Sequence, residues 1–389
     1  MKIDVIRSVE GLSKLRGDWQ GLQETDGTLP FTSWEWNLAW WKHLARRRLS
    51  MTDRLFVHSF RSEGGELLAV APLMLTSLPA MGPRFRCLQF FGADKNLTEI
   101  RGILCRRGLE AEVHAKLLDR LMTRGSKWDC FLAEGYRDDG AVPFLLARQP
   151  RVKFLESRSD LIVTLPKSWD EFRAARSRNV KESLRKCVNS LKRDGLTPTF
   201  GVATKGPELT TALDALFRLH GARASLKHTV VHANAFGASA SRAFVRELCE
   251  RLSDVGGVRV FSMNIGDRTV ATRLAFSVGR SLYLYYSGYD PEYGKYSVMT
   301  SVVAHAIQYA IAHGYEQVNL STGVDVSKTR WSPDAIPFGS AMVLSDGARA
   351  RFVTRGYFLL RSAWRASGWA ADGVTSPQAG ASSSSATPK

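Results

Sequence analysis

The sequence predicts an α/β protein, α+β in layout, of two related domains. Each is a mixed, mostly antiparallel sheet flanked by helices. Three observations carry that reading. At roughly 100–200 residues per domain, a chain of 389 residues has room for two. The stretch 257–287 reads as three strands linked by tight turns at Gly266-Asp267 and Gly279-Arg280, an antiparallel meander. Meander, helix and strand are echoed in the first half, where a hairpin and two strands precede a helix and a strand. The first domain is expected over 1–150 and the second over 151–348, followed by a basic amphipathic helix over 349–370 and a disordered tail over 371–389. The tail is Ser-, Ala-, Thr-, Gly- and Pro-rich and cannot bury a core.

The first domain opens with a strand over 3–6 and a helix over 13–23. A second helix over 34–46 carries Trp34, Trp36, Trp40 and Trp41 on mixed spacings. Such a cluster is a core face packed on a sheet, or else a stacking platform for a base or sugar. Strand-like runs over 54–60 and 66–76 are joined through Glu63-Gly64-Gly65 into a hairpin. Strands over 86–91 and 99–105, a helix over 109–124 and a strand over 130–133 follow. Pro143 and Pro150 mark the approach to the boundary.

The second domain begins with a strand over 160–165. Ser168-Trp169-Asp170-Glu171 is a capping box opening a helix to about 194, stopped by Gly195. Phe172, Val180, Leu184, Val188 and Leu191 form its apolar stripe. Its other face carries Arg173, Arg176, Arg178, Lys181, Arg185, Lys186, Lys192 and Arg193 against Glu182 alone. A solvated face is the plain reading and an anion-binding face the sharper one. A strand over 197–202, helices over 208–222 and 240–255, and the meander come next. A loop over 288–295 then feeds a helix over 297–313, closed by Gly314, and a strand over 316–321.

Composition narrows the function classes. Hydrophobic residues make up 44% and charged ones 23%, ordinary for a globular chain, so fibrous and wholly disordered classes are excluded. Lys and Arg number 54 against 37 Asp and Glu, a net +17. That balance favours an anionic partner (a nucleotide cofactor, tRNA or an acidic membrane surface), unless it is a general basic bias. Five widely spaced cysteines without CxxC suggest neither disulfides nor thiolate zinc, but reduced cytoplasmic thiols. The histidines have no metal-ligand spacing, so no metal is expected. GxSxG, GxxxxGK[ST] and GxGxxG are all missing, which leaves serine hydrolases, P-loop NTPases and Rossmann dehydrogenases without support. The longest clean apolar run, 67–75, is too short to span a bilayer. Arginines 349, 351, 355, 361 and 365 interleave with aromatic and aliphatic residues over 349–369. Such a helix can lie on an anionic membrane, peripheral at its inner face, or simply pack on the domain.

Two stretches carry candidate chemistry. Over 281–304 a strand ends, a Gly- and Tyr-rich loop turns and a helix begins. A helix N-terminus favours phosphate. Gly294 lets the backbone come close, Lys295 adds charge and Ser297 can cap or donate. Alternation puts Tyr283 and Tyr285 on one face and Tyr286 on the other. Their hydroxyls can act as general acids to a leaving thiolate, or merely fill a core with a wet tip. Over 319–331 a strand runs out into polar residues, a usual place for a ligand or a plain surface loop. His220, near a helix end with Arg223 behind it, is a dipole partner or a satisfied core residue unless it is catalytic.

Four runs, in order, resemble one family. Arg178-Asn179, Leu184-Arg185-Lys186 and Leu191 resemble its R-N-x-R-R helix. Leu219-His220-Gly221-Ala222-Arg223 resembles its L-H-x-x-R helix end. The stretch from Tyr285 through Gly288 and Asp290-Pro291-Glu292-Tyr293-Gly294-Lys295-Tyr296-Ser297 resembles its Y-x-S-G-x-D-P-x-Y-x-x-Y-S loop. Gly323 with Lys328-Thr329-Arg330-Trp331 resembles its G-x-x-x-x-K-x-x-W tail. The resemblance, over about 150–345, is to GNAT-superfamily acyltransferases of the CelD type (cellulose and exopolysaccharide biosynthesis), relatives of the FemAB-like transferases. It implies two GNAT-like domains, with acetyl-CoA or another acyl-CoA as donor between splayed strands of the second. It further implies direct transfer to the amine or hydroxyl of a sugar, polysaccharide precursor or amino compound. By the resemblance, Gly288, Tyr293, Gly294, Lys295, Tyr296 and Ser297 hold the donor. Tyr285 or Tyr286 protonates the thiolate, His220 joins them in the catalytic set, and Arg223, Asn319, Asp325 and Lys328 face the acceptor.

Two departures stand out. The family often has Pro-Gly after the serine, where this chain has Val298-Met299, which weakens the phosphate cradle. It often has Asp where this chain has Asn319, which leaves the general base unassigned. The alternatives are a FemAB-like transferase using aminoacyl-tRNA, which the basic helix would suit, and a non-catalytic scaffold for envelope polysaccharide synthesis.

Overall fold

The computed structural model describes residues 1–80, 83–94, 96–122, 128–226 and 233–366. The tail over 371–389 and residues 367–370 lie outside them. β1 (Lys2–Ile6) leads into α1 (Val9–Lys14) and α2 (Arg16–Asp26), so the single helix expected over 13–23 is two. Ser8 caps the first by accepting from the Gly11 N–H at 3.1 Å. A 3-10 turn (Pro30–Thr32) precedes α3 (Trp34–His43), which Ser33 caps. Then come β2 (Arg47–Arg48), β3 (Met51–Leu55), β4 (Val57–Arg61), β5 (Leu67–Ala71) and β6 (Leu73–Leu78). The expected hairpin exists as β4–β5, but the chain changes sheet at Phe56 and Pro72, so β3 and β6 pair in another sheet.

β7 (Phe85–Phe90), β8 (Leu104–Cys105), α4 (Glu110–Met122), β9 (Cys130–Arg137), α5 (Val142–Ala147) and β10 (Val152–Phe154) complete the first half. The strand expected over 99–105 shrinks to β8. The loop before it is anchored by the Asp94 carboxylate, which accepts from the N–H groups of Asn96, Leu97 and Thr98.

The second half runs β11 (Arg158–Thr164), α6 (Trp169–Ala174), α7 (Arg178–Arg193), β12 (Pro198–Ala203), α8 (Gly206–Ala224) and α9 (Ser239–Ser253). The meander is β13 (Val258–Ile265), β14 (Arg268–Val278) and β15 (Ser281–Tyr289). A 3-10 turn (Pro291–Tyr296), α10 (Val298–Ala312), β16 (Gln317–Thr322), α11 (Val326–Thr329), β17 (Asp334–Leu344) and α12 (Ala348–Ala366) follow. The long basic helix is broken at 175–177, where Ser177 caps α7. Val188, expected in its stripe, is 64% exposed, and Cys187 is buried in its stead.

The unexpected element is β17. It carries Pro337 and Gly339 and has no clean alternation, yet it pairs with β11 on one side and β9 on the other. Strands of both halves therefore lie in one sheet, ordered β12-β13-β14-β15-β16-β11-β17-β9-β7-β6-β3-β2. A smaller sheet, β1-β4-β5-β8, packs beside the first half. Helices α3, α8 and α9 share one core with the aromatic face of the meander, and α7 and α10 share another with its opposite face. The α3 tryptophans are core: the Trp36 ring lies edge-on to Phe31, Phe244, Phe276 and Tyr285 at 4.7–5.8 Å. On α12, Val353 and Tyr357 are buried, with Tyr357 stacked on Phe85 at 4.3 Å, while Phe352 and Leu359 are exposed. Among the described residues no helix is long and apolar enough to cross a membrane.

Candidate functional site

β15 and β16 are parallel neighbours only from Ser281↔Gln317 to Tyr283↔Asn319, although β15 continues to Tyr289. Beyond that point the strands part. Their gap and the start of α10 enclose a cavity of about 270 Å³ lined by Arg223, Arg273, Gly294, Ser297, Lys328 and Trp331, among others. Ser297 takes up a left-handed conformation (φ 54°) as it enters α10. The first N–H groups of a helix have no partner within it, and here they open at the cavity.

The cavity lining holds three cations and no carboxylate. Burial draws the Arg273 guanidinium down to about 10 and lowers Lys328 and Arg223 as well, with the Asp325 charge opposing all three. The buried Nε of Arg273 has no hydrogen-bond partner. An orphaned buried donor costs about 1–3 kcal/mol, which an oxygen-bearing ligand would offset. The anionic donor therefore fits the residues present. Among the described residues no group of His, Cys, Asp or Glu is arranged to hold a metal ion.

The expected donor residues divide. Gly294 and Ser297 line the cavity. Tyr296 and Lys295 instead tie the turn to the end of α7: the Tyr296 hydroxyl donates to Asp194 at 2.8 Å, and the Lys295 ammonium lies 3.8 Å from the same carboxylate. Tyr293 sits beneath the Arg268 guanidinium at 5.4 Å. Gly288 is a packing glycine, since a Cβ there would lie 2.4 Å from the His220 backbone nitrogen.

The tyrosines are arranged against expectation. A β-bulge leaves Tyr285 and Tyr286 together opposite Leu274, because Arg273 pairs with Ser287 but Ala275 with Leu284. Both rings thus fall on one side, 4.6 Å apart, rather than on alternate faces. Their hydroxyls donate to the carbonyls of Leu97 and Asn96, away from the cavity. Burial raises both hydroxyls above the usual tyrosine range. This geometry corrects their assignment as proton donors to a thiolate in the cavity. His220 is likewise inward: Nδ1 meets the Ser287 carbonyl at 2.9 Å, Nε2 accepts from the Ala235 N–H at 3.3 Å, and burial lowers its pKa. A ring that ties α8 to β15 in this way lies outside the cavity lining, which corrects its catalytic assignment too.

On the acceptor side, Arg223 and Lys328 line the cavity, while Asp325 caps α11 by accepting from the Ser327 N–H at 2.9 Å. Asn319 faces the other side of the sheet and donates to Asp160 at 2.8 Å. Asp160 belongs to a hydrogen-bonded chain that sequence reasoning missed. The Tyr283 hydroxyl lies 2.5 Å from Glu99 and 3.4 Å from Asp160. The Ser321 hydroxyl donates to Glu99 at 2.9 Å, and the Lys328 ammonium lies 3.5 Å from Ser321. Burial pushes the Asp160 carboxyl up to about 7; the Asn319 hydrogen bond opposes this and the Glu99 charge adds to it. Arg273 left a signal, the one charged residue inside a strand that otherwise carries charge only at its first position, Arg268. Glu99 left none, since it arrives from a loop in the other half.

Comparison with known proteins agrees with this geometry. Residues 178–329 match the family model described as an acetyltransferase (GNAT) domain. Among solved structures, FemX is similar over 91% of this chain and 100% of that one, at 10% identity and a TM-score of 0.60. A conserved protein of unknown function from Bacteroides thetaiotaomicron VPI-5482 is similar over 88% of this chain and 100% of that one, at 11% identity and a TM-score of 0.52. At such identities the likeness is one of fold. No curated protein matches. Residues 178–329 thus match a GNAT domain, and the first half has the same plan of antiparallel strands with one parallel neighbour.

Proposed function

We propose that the protein is an acyl-CoA-dependent N- or O-acyltransferase, acetyl-CoA being the simplest donor, that transfers directly to a sugar, polysaccharide precursor or amino compound. The cavity where β15 and β16 part carries this reading. It has cations without carboxylates, an orphaned guanidinium N–H, and a helix N-terminus at its rim. An anion beside a helix N-terminus gains about 0.3–1 kcal/mol. A cavity of about 270 Å³ suits the thioester and the start of its arm, with the nucleotide end outside. Arg273 and Lys328 would neutralise the charge that develops on the departing sulfur. The CelD-type assignment, with exopolysaccharide synthesis as its setting, rests on the resemblance of the four runs taken together, over about 150–345.

A thermal-shift titration of the full chain with CoA, acetyl-CoA and longer acyl-CoAs tests the donor. At 100 times its dissociation constant a ligand stabilises by about 2.7 kcal/mol, a rise of a few degrees. A saturable rise, lost in Arg273→Met, is expected. No rise with any acyl-CoA overturns the reading.

A tRNA-borne acyl group is the second reading, favoured by the exposed Arg185, Lys186 and Lys192 on α7, which packs against α10. Filter binding of tRNA across a salt series tests it. The reading requires a steep salt dependence.

A further inference from the structure

Between the two halves, on the other side of the sheet from α10, lies a cleft of about 620 Å³. Its walls come from β8, the start of α4, the end of β9 and the strands β11, β16 and β17. Its charge is opposite to that of the donor cavity. In a chain of net +17, its lining carries Asp26, Glu110, Asp139 and Asp160 against Arg107 and Arg137. Arg137 is already taken by Asp139 through two bonds of 2.7 and 3.0 Å.

The two chambers lie on opposite faces of β16. On β16, Leu320 lines the donor cavity and its neighbour Asn319 lines the cleft, because successive strand residues face opposite sides. Pairing between β15 and β16 ends at this same residue, so the sheet opens beside it. The chain from Lys328 through Ser321, Glu99 and Tyr283 to Asp160 runs across it. Asn319 donates its hydrogen bond to the Asp160 carboxylate on the adjacent strand.

We propose that this cleft is the acceptor site, that it takes a primary amine on a sugar-sized molecule, and that Asp160 is the general base of the transfer. The inference rests on the acyl-CoA reading above. The acceptor ammonium gives one proton to the Asp160 carboxylate. The freed nitrogen lone pair forms a bond to the thioester carbonyl carbon. The carbon–sulfur bond breaks with its electron pair going to sulfur, and a second nitrogen proton goes to that sulfur, leaving an amide and a free thiol. The charged and titratable groups facing Asp160 are Glu99, Tyr283 and Lys328. A base that titrates near neutrality is matched to this task.

The test uses the full chain with acetyl-CoA, D-glucosamine as the amine probe and D-glucose as its uncharged counterpart. Glucosamine, and not glucose, should raise the melting temperature saturably and release CoA. Asp160→Asn should lower kcat at least 100-fold, abolish the glucosamine shift, and remove the limb near pH 7 from the kcat/KM profile. It should leave the acetyl-CoA shift intact, which certifies that the variant is folded. Wild-type kcat with the limb retained in Asp160→Asn overturns the base assignment. An acetyl-CoA shift without any glucosamine shift overturns the amine site. A glucosamine shift that needs Asp160, found without any acetyl-CoA shift, sinks the donor reading while the cleft assignment stands.

Discussion

Each half of the molecule has one pair of parallel neighbours, and the two pairs have opposite fates. β7 and β9 pair at Cys87↔Cys130 and Leu88↔Phe131, then separate, much as β15 and β16 separate after Tyr283↔Asn319. In the second half the gap is a cation-lined cavity. In the first it is plugged. Phe90 and Phe131 approach to 6.4 Å, Arg101 pairs with Glu134 at 2.8 Å, and Gly102 lies so close to the Glu134 and Gly135 carbonyls that a Cβ would stand 3.2 Å from each. The helix after the plugged gap starts with Glu110 and Glu112, whereas α10 starts with no acid in its first turn. Equal strand plans therefore do not make equal sites; what fills the gap decides. The loop that closes the first gap also carries Glu99 to Tyr283 and Ser321 beside the second. One half has given up a cavity and become a wall of the other's.

The comparison can be broken or sharpened in order of expected effect. Asp160→Asn removes the proposed base and should have the largest effect on turnover. Arg273→Met should come next, raising the acetyl-CoA KM at least tenfold, about 1.4 kcal/mol. Isothermal titration with CoA checks this, and unchanged affinity would separate the buried cation from donor binding. Glu99→Gln removes the charge that the first half contributes. It should lower kcat about tenfold without changing the acetyl-CoA KM, and an unchanged kcat would reduce the loop to a structural wall.

Stability should also respond to pH through Asp160. Its folded pKa, about 7, lies above the ordinary 3.8, so the native state holds the proton more tightly than the unfolded chain. Its contribution is fully present below about pH 4 and is lost as pH rises to about 7, on the order of 4 kcal/mol in all. Denaturant melts of Asp160→Asn between pH 4 and 8 should lack this fall, and the variant should be the more stable of the two at pH 8. The smallest effect is expected from Tyr285→Phe. Loss of its bond to the Leu97 carbonyl should lower stability by about 1 kcal/mol, with turnover per folded molecule retained. A tenfold loss of kcat would restore the tyrosine to the chemistry. On α12, replacing the exposed Phe352 and Leu359 by Ser tests the expectation that this basic helix lies on an anionic membrane. Pelleting with anionic vesicles that the double variant leaves unchanged would remove this helix as an anchor.

Much of the second half was legible because its signals are local. The meander shows in two Gly-containing turns, and both glycines adopt positive φ (56° and 55°). Gly314 stops α10 for the same reason (φ 72°). Ser168 does cap its helix, but Ser177 restarts it one turn later, and nothing in the apolar period marks that break. The tyrosines went astray because alternation assumes regular pleating, and a bulge is decided by the register of two strands together. β17 went unread because its residue types do not alternate between apolar and polar, although burial does alternate over its second half; its backbone is held by β9 and β11, which lie far away in sequence.

By itself the sequence determined the fold class, the meander, the loop into α10 and the anion-favouring helix start, since turn chemistry, period and helix ends depend on neighbours a few residues apart. Only the tertiary structure decided that Tyr285 and Tyr286 bond across the halves, that Arg273 is an orphaned donor in the cavity, and that Glu99 and Asp160 meet around Tyr283. Those relations join residues more than a hundred positions apart, or turn on burial. The electrostatic character of a group depends on which distant segments remove it from water, and a linear spacing carries no trace of that.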